Sequence, residues 1–511
     1  MDPAGTNKQD RIVSFQPSTQ RRRLTTLLAT CAIGVYLLVA IGATTALTEA
    51  ASACSGWPVC SFQGRLGDPL VWIALGHRVV AGLVGTLLVL CGLLAWRSGA
   101  SRRVKAALAV PIGLYPIQVA IGALAAVREV GWVPEAHLGV GMTIFAGVLV
   151  ALGWALEADT PDTADLSDVP DASAAEVETA PAVTEPVDPE PNGATETPDT
   201  ETVESPPASA SSTTGNGRSD RLSTRFARTL RAYVSLTKPR LMWLLCLVAA
   251  SAMALAAGPA LDPWTVVLTL SGGVLAIGAS GTFNHILERD VDRRMNRTAD
   301  RPLAVDEVSV TNALVFGFAL ALASLWLFLQ VNLLAAGLGF VAIVFYSVIY
   351  TLVLKPNTVQ NTVLGGAAGA LPALIGWAAV TSSIDLPGAL LAVVIFLWTP
   401  AHFYNLALAY KDDYERGDFP MLPVVRGERV TRRHVLWYLG ATLLAAVGLA
   451  ALADLGWVYA AATVSVGGVF LWAVVRLHRE RTTQAAFRAF HASNAYLGVV
   501  LLAIVVDMLV L

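Results

Sequence analysis

Apolar runs, broken by short polar or charged connections, recur along the chain at 25–47, 71–96, 106–127, 137–156, 241–257, 264–283, 310–329, 332–353, 361–381, 387–409, 434–453, 457–475 and 491–511. Each is close to the ~20 residues that a helix needs to cross a bilayer, where only a helix or a closed barrel satisfies its own backbone. The pattern predicts an all-α polytopic membrane protein with four spans and then nine.

The two sets are separated by 157–217, where Pro, Ser, Thr and Ala dominate and fifteen residues are acidic while none is Lys or Arg. Such a stretch buries too little apolar surface to offset its ordering entropy. It predicts a disordered linker, 157–228, between a front domain, 1–156, and a rear domain, 229–511. Over 511 residues, 55% are hydrophobic and 14% charged, and the mean hydropathy is +0.59, which excludes an ordinary soluble protein. The net charge of −3 is misleading, because without the fifteen linker carboxylates basic residues exceed acidic ones by twelve.

Those basic residues set the orientation. They cluster at Arg21, Arg22 and Arg23, between spans two and three, from Arg225 to Arg240, and after spans six, ten and twelve, whereas "AGPALDPW" and "TSSIDLP" carry none. The distribution predicts a cytoplasmic N-terminus and an outside C-terminus, in a cell membrane. The first span is too long for a removable leader and lacks an early small-residue cleavage site. The basic residues line membrane edges and form no face for nucleic acid, so the bilayer is the expected partner.

Cys31, Cys91 and Cys246 fall inside spans and read as small core fillers. Cys54 and Cys60, in "CSGWPVC" on an outer loop, stand where oxidising conditions allow a disulfide. Two unpaired surface thiols are the alternative.

At the end of span six, "NHILERDVDRRMNRTADRPL" begins at Asn284. If the helix continues, Asn284, Glu288 and Asp292 advance only ~40° around its axis per step and form one polar stripe, with Asp290 off it. Oxygen ligands in a row suit Mg²⁺, which takes one or two carboxylates plus phosphates. Arg297 and Arg301 could then clamp phosphate oxygens. On charge content alone, a self-neutralised loop anchoring span six is the plainer reading. A second acidic loop after span ten, "YKDDYERGDFPMLPVVRG", changes it: two such loops on one side can bracket a diphosphate through bridging Mg²⁺ while an apolar helical cavity shields a carbocation.

The first loop resembles the aspartate-rich motif of UbiA-type intramembrane prenyltransferases, in the variant of the protohaem IX farnesyltransferases (haem O synthases). The resemblance continues through "LTKPR" (236–240), "YTLVLKPNTVQNTVLGGAAGALPALIGW" (350–377), "WTPAHFYNLALAYKDDY" (398–414) and "PMLPVVRG" (420–427), covering about 230 to 511. It implies a nine-helix bundle that transfers farnesyl from farnesyl diphosphate to a vinyl carbon of haem B, giving haem O and diphosphate with Mg²⁺. Residue by residue, it implies that Asn284, Glu288, Asp292 and Asp413 hold metal and diphosphate, and that Arg297, Arg301, Lys355 and Lys411 contact diphosphate. Gly417 stands where other branches complete a DxxxD in the second loop. His402, after Pro400 in span ten, is open to two readings: a haem contact, or a bond to carbonyls freed by the proline. The Gly/Ala run at 364–370 reads as close helix packing, with a cavity wall as the lesser addition, and His285, His434, His478 and His491 read as interfacial.

In the front domain His77 and His137 lie in different spans toward the outer face, which allows either a bis-imidazole haem site or two lone interfacial histidines. "CSGWPVC", "GHRVVAGLVG", "QVAIGALAAV" and "EAHLGVGM" resemble one half of haem A synthase. That resemblance implies haem bound by His77 and His137, with haem A synthase or a second front half as partner. The family's glutamate three residues before the first histidine is Ala74 here. Competing functions are prenylation of another lipid-soluble acceptor, such as a quinone precursor or an ether lipid, and a non-enzymatic haem transporter or sensor.

Overall fold

The computed structural model describes residues 19–47, 57, 69–127, 131–158, 216–453 and 455–510. Among them are no strands and thirteen helices long and apolar enough to cross a membrane. We number these α1 (Thr19–Leu47), α2 (Pro69–Arg97), α3 (Arg102–Val127), α4 (Val133–Leu156), α5 (Pro239–Ala257), α6 (Pro263–Leu287), α7 (Val310–Val331), α8 (Leu333–Val344), α9 (Asn361–Thr381), α10 (Leu386–Ala409), α11 (Gly427–Leu452), α12 (Trp457–Glu480) and α13 (Thr483–Leu509). The α8 span continues as a π-helix, Phe345–Leu354, and one further turn, Lys355–Asn357.

The order of four and nine matches the apolar runs. The helices overshoot them, as at α11, because charged turns such as "RGERVTRRHV" remain helical beyond the hydrocarbon region. Side-chain caps explain several starts: Asp262, Ser309, Asn332 and Thr482 each accept the N–H of the third residue onward. A helix at Asn216–Leu236 occupies part of the stretch expected to be linker; Arg residues alternate there with Phe226, Leu230 and Tyr233.

The chain divides into two compact units, 1–160 with 231–511, and 161–230. Front and rear helices thus belong to one unit, and a single apolar cluster runs through both, joining Leu28, Phe145 and Leu149 to Leu436, Leu439 and Phe470. The Tyr36 hydroxyl on α1 donates to the Thr463 carbonyl on α12 at 2.8 Å. Trp154 on α4 meets Trp437 on α11 edge-on, ring centroids 6.2 Å apart. Glu157, counted with the acidic linker, is fully buried and accepts from Arg432 on α11. His478, expected at an interface, is also buried, its Nε2 3.8 Å from Glu157. Composition could not reveal this, because the partners lie 275 residues apart.

In the rear helices, α5 and α9 approach so closely that a Cβ on Gly376 would collide with the Ala249 carbonyl oxygen. Cys31 and Cys91 are buried free thiols, as core fillers would be. Cys54, Cys60 and residues 159–215 lie outside the described residues.

Candidate active site

α6 ends at Leu287, and the chain turns on without breaking the register: Glu288 N–H bonds to the Asn284 carbonyl at 2.9 Å and Asp292 N–H to the Glu288 carbonyl at 2.7 Å. The four-residue spacing therefore keeps Asn284, Glu288 and Asp292 on one buried stripe, 2%, 6% and 2% exposed, while the Asp290 side chain is 89% exposed.

Each oxygen donor on the stripe already holds a positive group. Lys238 Nζ donates to Asn284 Oδ1, and Asn284 Nδ2 donates to Thr351 Oγ1 at 3.1 Å. Lys355 Nζ lies 2.5 Å from Glu288 Oε1. Arg301 Nη1 straddles both oxygens of Asp292 at 2.9 and 2.8 Å. Burial alone would raise the Glu288 carboxyl, but the ammonium groups of Lys355 and Lys238 hold it below its ordinary value. Burial raises the Asp292 carboxyl against the pull of Arg301, and it pulls the Lys238 ammonium down to about 7 despite Glu288.

The second loop lies against the first. Asp413 accepts the backbone N–H groups of Asn296 and Arg297 at 3.2 and 3.1 Å, together with the Arg416 guanidinium. Those bonds hold the carboxyl below its ordinary value against burial. Asp413 thus joins the two loops through backbone. Arg297 lies over the rings of Tyr410 and Tyr414, 5.0 and 5.3 Å from their centroids. Lys411 instead faces Glu428 at 3.7 Å, a half-exposed pair away from the stripe.

Next to the stripe opens an apolar cavity between α5, α6, α8 and α9, with an empty volume, open mouth included, of ≈ 750 Å³. Lys238 and Tyr346 stand on its wall, with Leu245, Ala276, Ile277 and Ile375 among its apolar lining. Ala368 also lines it, so the Gly/Ala run contributes both packing and cavity wall. The π-helix carries Tyr346 and Tyr350 stacked at 5.5 Å, a geometry that hydrophobic periodicity does not signal.

Sequence reasoning missed Lys238, Tyr346 and the Tyr410/Tyr414 pair. The signal available for Lys238 was its place in "LTKPR", a lysine directly before a proline.

His402 is sandwiched between Trp398 and Phe490, centroids 4.3 and 4.4 Å away, and its Nδ1 lies 2.6 Å from Ser493 Oγ. Side chains stack against the ring on both faces. Its partner is a hydroxyl and not a carbonyl freed by Pro400. In the front helices, by contrast, His77 and His137 do converge, with centroids 6.3 Å apart. Both Nδ1 atoms are buried without a partner, and Gln118 Nε2 lies 3.3 Å from His137 Nε2.

Among the described residues, no three His, Cys, Asp or Glu side chains gather as a closed metal centre. The stripe nevertheless fits Mg²⁺, because its hard oxygen donors are buried, aligned and held by cations that an arriving anion can draw away.

Residues 243–498 match the pattern of the UbiA prenyltransferase family. A protoheme IX farnesyltransferase from Haloarcula marismortui is 58% identical over 497 residues, covering 96% of this chain and 100% of that relative. Solved structures align at low identity: a digeranylgeranylglyceryl phosphate synthase structure at TM-score 0.48, 16% identity, 56% of this chain and 100% of the other. A UbiA homologue from Archaeoglobus fulgidus, bound to GPP and Mg²⁺, aligns at TM-score 0.43, 15% identity, 53% of this chain and 99% of the other. With a relative this similar along its whole length, the chain belongs to the UbiA prenyltransferase family.

Proposed function

We infer that the protein transfers a farnesyl group from farnesyl diphosphate to a vinyl group of protohaem IX (haem B), releasing diphosphate and giving haem O. The observation that carries this reading is the charged stripe Asn284–Glu288–Asp292 beside an apolar cavity. The similarity to protoheme IX farnesyltransferases along the full length supports the choice of acceptor.

Glu288 and Asp292, with Asn284, would hold Mg²⁺, which supplies charge neutralisation at the leaving group. Arg301 and Lys355, now paired with carboxylates, turn to phosphate oxygens when the anion enters, and Arg297 meets it from its seat on Tyr410 and Tyr414. As the C1–O bond breaks, its electron pair leaves with diphosphate and the cavity wall excludes water from the allylic cation. The vinyl π electrons then bond to C1, the cation left on the vinyl carbon beside the macrocycle takes the oxygen of a water molecule, and the loss of that water's proton to solvent leaves the hydroxyl-bearing farnesyl side chain of haem O. Asp413 serves by fixing the backbone of Asn296 and Arg297. The active-site loops face the cytoplasm, as the basic residues at their membrane edge favour, with the N-terminus inside and the C-terminus outside.

His77 and His137 would hold haem in the front helices. Their convergence from different helices, with ring centroids 6.3 Å apart, supports this. The pair also leaves buried ring nitrogens without partners. Association with haem A synthase, or with a second front half, remains part of this proposal.

The test of the site is Glu288→Gln and Asp292→Asn in the full chain. Each abolishes farnesyl transfer while the protein stays folded and inserted, and chelation of divalent metal does the same. Product formation at the wild-type rate in either variant rejects the metal-holding role.

A further inference from the structure

We propose that Lys238 is a binding residue for the donor's diphosphate, gripping it where the isoprenoid chain leaves the charged edge and enters the apolar cavity. The proposal rests on the reading of this site as a prenyl diphosphate site.

Among the described residues that line the cavity, Lys238 is the only charged one. Its contacts set it apart from its neighbours. Arg301 and Lys355 spend their charge on Asp292 and Glu288, whereas the contacts of Lys238 Nζ are neutral: Asn284 Oδ1, and the Tyr346 hydroxyl at 3.3 Å. An ammonium whose direct hydrogen-bond partners are neutral gains a charge-assisted bond when an anion arrives.

The backbone directs it there. Lys238 has φ +56° and ψ +56°, a left-handed conformation that a residue with a Cβ adopts at a cost and that recurs at functional sites. Gly281 on α6 permits the turn, since a Cβ there would come within 2.9 Å of the Leu236 carbonyl oxygen and 3.3 Å of Lys238 Cγ. Pro239 then begins α5 directly after it. A lysine at a membrane edge ordinarily runs its stem outward to water. This one runs inward, to a point shared by the charged stripe and the cavity. With the tail seated along Ala276, Ile277 and Ile375, the first atoms beyond it at Lys238 are the diphosphate oxygens nearest C1.

The test uses the full chain in detergent with Mg²⁺, comparing wild type, Lys238→Met and Lys238→Arg. Three quantities are read: KM for farnesyl diphosphate, KM for haem B, and the inhibition constant of inorganic diphosphate. In Lys238→Met, the farnesyl diphosphate KM and the diphosphate inhibition constant both rise roughly ten- to a hundred-fold, while the haem KM holds. Lys238→Arg recovers part of the loss. Unchanged diphosphate inhibition in Lys238→Met overturns the proposal, and so does a rise confined to the haem KM, which would place the ammonium at a propionate. Folding is read from the size-exclusion profile; should the Met variant not fold, Lys238→Gln carries the same readout. A wild-type protein that makes no farnesylated haem refutes the underlying site reading instead.

Discussion

Arg432 Nε and Nη2 reach the two carboxylate oxygens of Glu157 at 2.7 and 3.1 Å, fastening the end of α4 to α11 inside the protein. Removing one partner takes from the other buried charge its nearest counter-charge, which costs up to about 3–5 kcal/mol. Glu157→Gln and Arg432→Met therefore each lower the thermal midpoint in detergent, and the double variant loses less than the sum of the two.

The same pair predicts a pH dependence. Burial alone would raise the Glu157 carboxyl, but the Arg432 hydrogen bonds and the nearby His478 and Arg481 hold it below its ordinary value of 4.5. A carboxyl depressed by folding stabilises the native state above its unfolded pKa, and that contribution fades as pH falls through the folded one. The stability gap between wild type and Glu157→Gln is thus full at pH 7 and narrows below pH 4.5. A gap unchanged at acid pH would contradict the ion pair.

Arg301 covers both oxygens of Asp292 with one nitrogen, and its remaining donors suit a forked grip on phosphate that an ammonium cannot copy. Arg301→Lys should lower kcat/KM for farnesyl diphosphate about a hundred-fold with little change in haem KM. Equal loss for both substrates would move this arginine to the haem.

Gly376 sets the approach of α9 to α5, whose Ala249 forms part of the cavity wall. Because a Cβ would strike backbone and not a movable side chain, Gly376→Ala should cost about 1–3 kcal/mol and reshape the tail cavity. The checks are the thermal midpoint and the ratio of activity with farnesyl and geranyl diphosphates.

Legibility in the sequence followed the range of the interactions. The thirteen spans were readable because a run of apolar residues is a local property, and the stripe Asn284–Glu288–Asp292 because helical register carries over four residues at a time. Lys238 escaped notice because its aim depends on a left-handed turn against Gly281, 43 positions onward in the chain. The part Asp413 plays between the two loops was not legible, because the sequence shows a carboxylate but not the backbone N–H groups it accepts. Glu157 was indistinguishable from its acidic neighbours until Arg432 stood opposite it.

For the front helices, the full chain loaded with haem B should give a low-spin spectrum that is lost in His77→Ala or His137→Ala. An unchanged spectrum in both variants would defeat the ligand assignment.

The most direct measurement of the central claim is the mass of the haem recovered after the full chain is incubated with haem B, farnesyl diphosphate and Mg²⁺. The account predicts haem O, formed in proportion to diphosphate released and absent when Glu288→Gln replaces wild type. Unmodified haem B, with farnesyl appearing instead on a supplied quinone precursor, would contradict it.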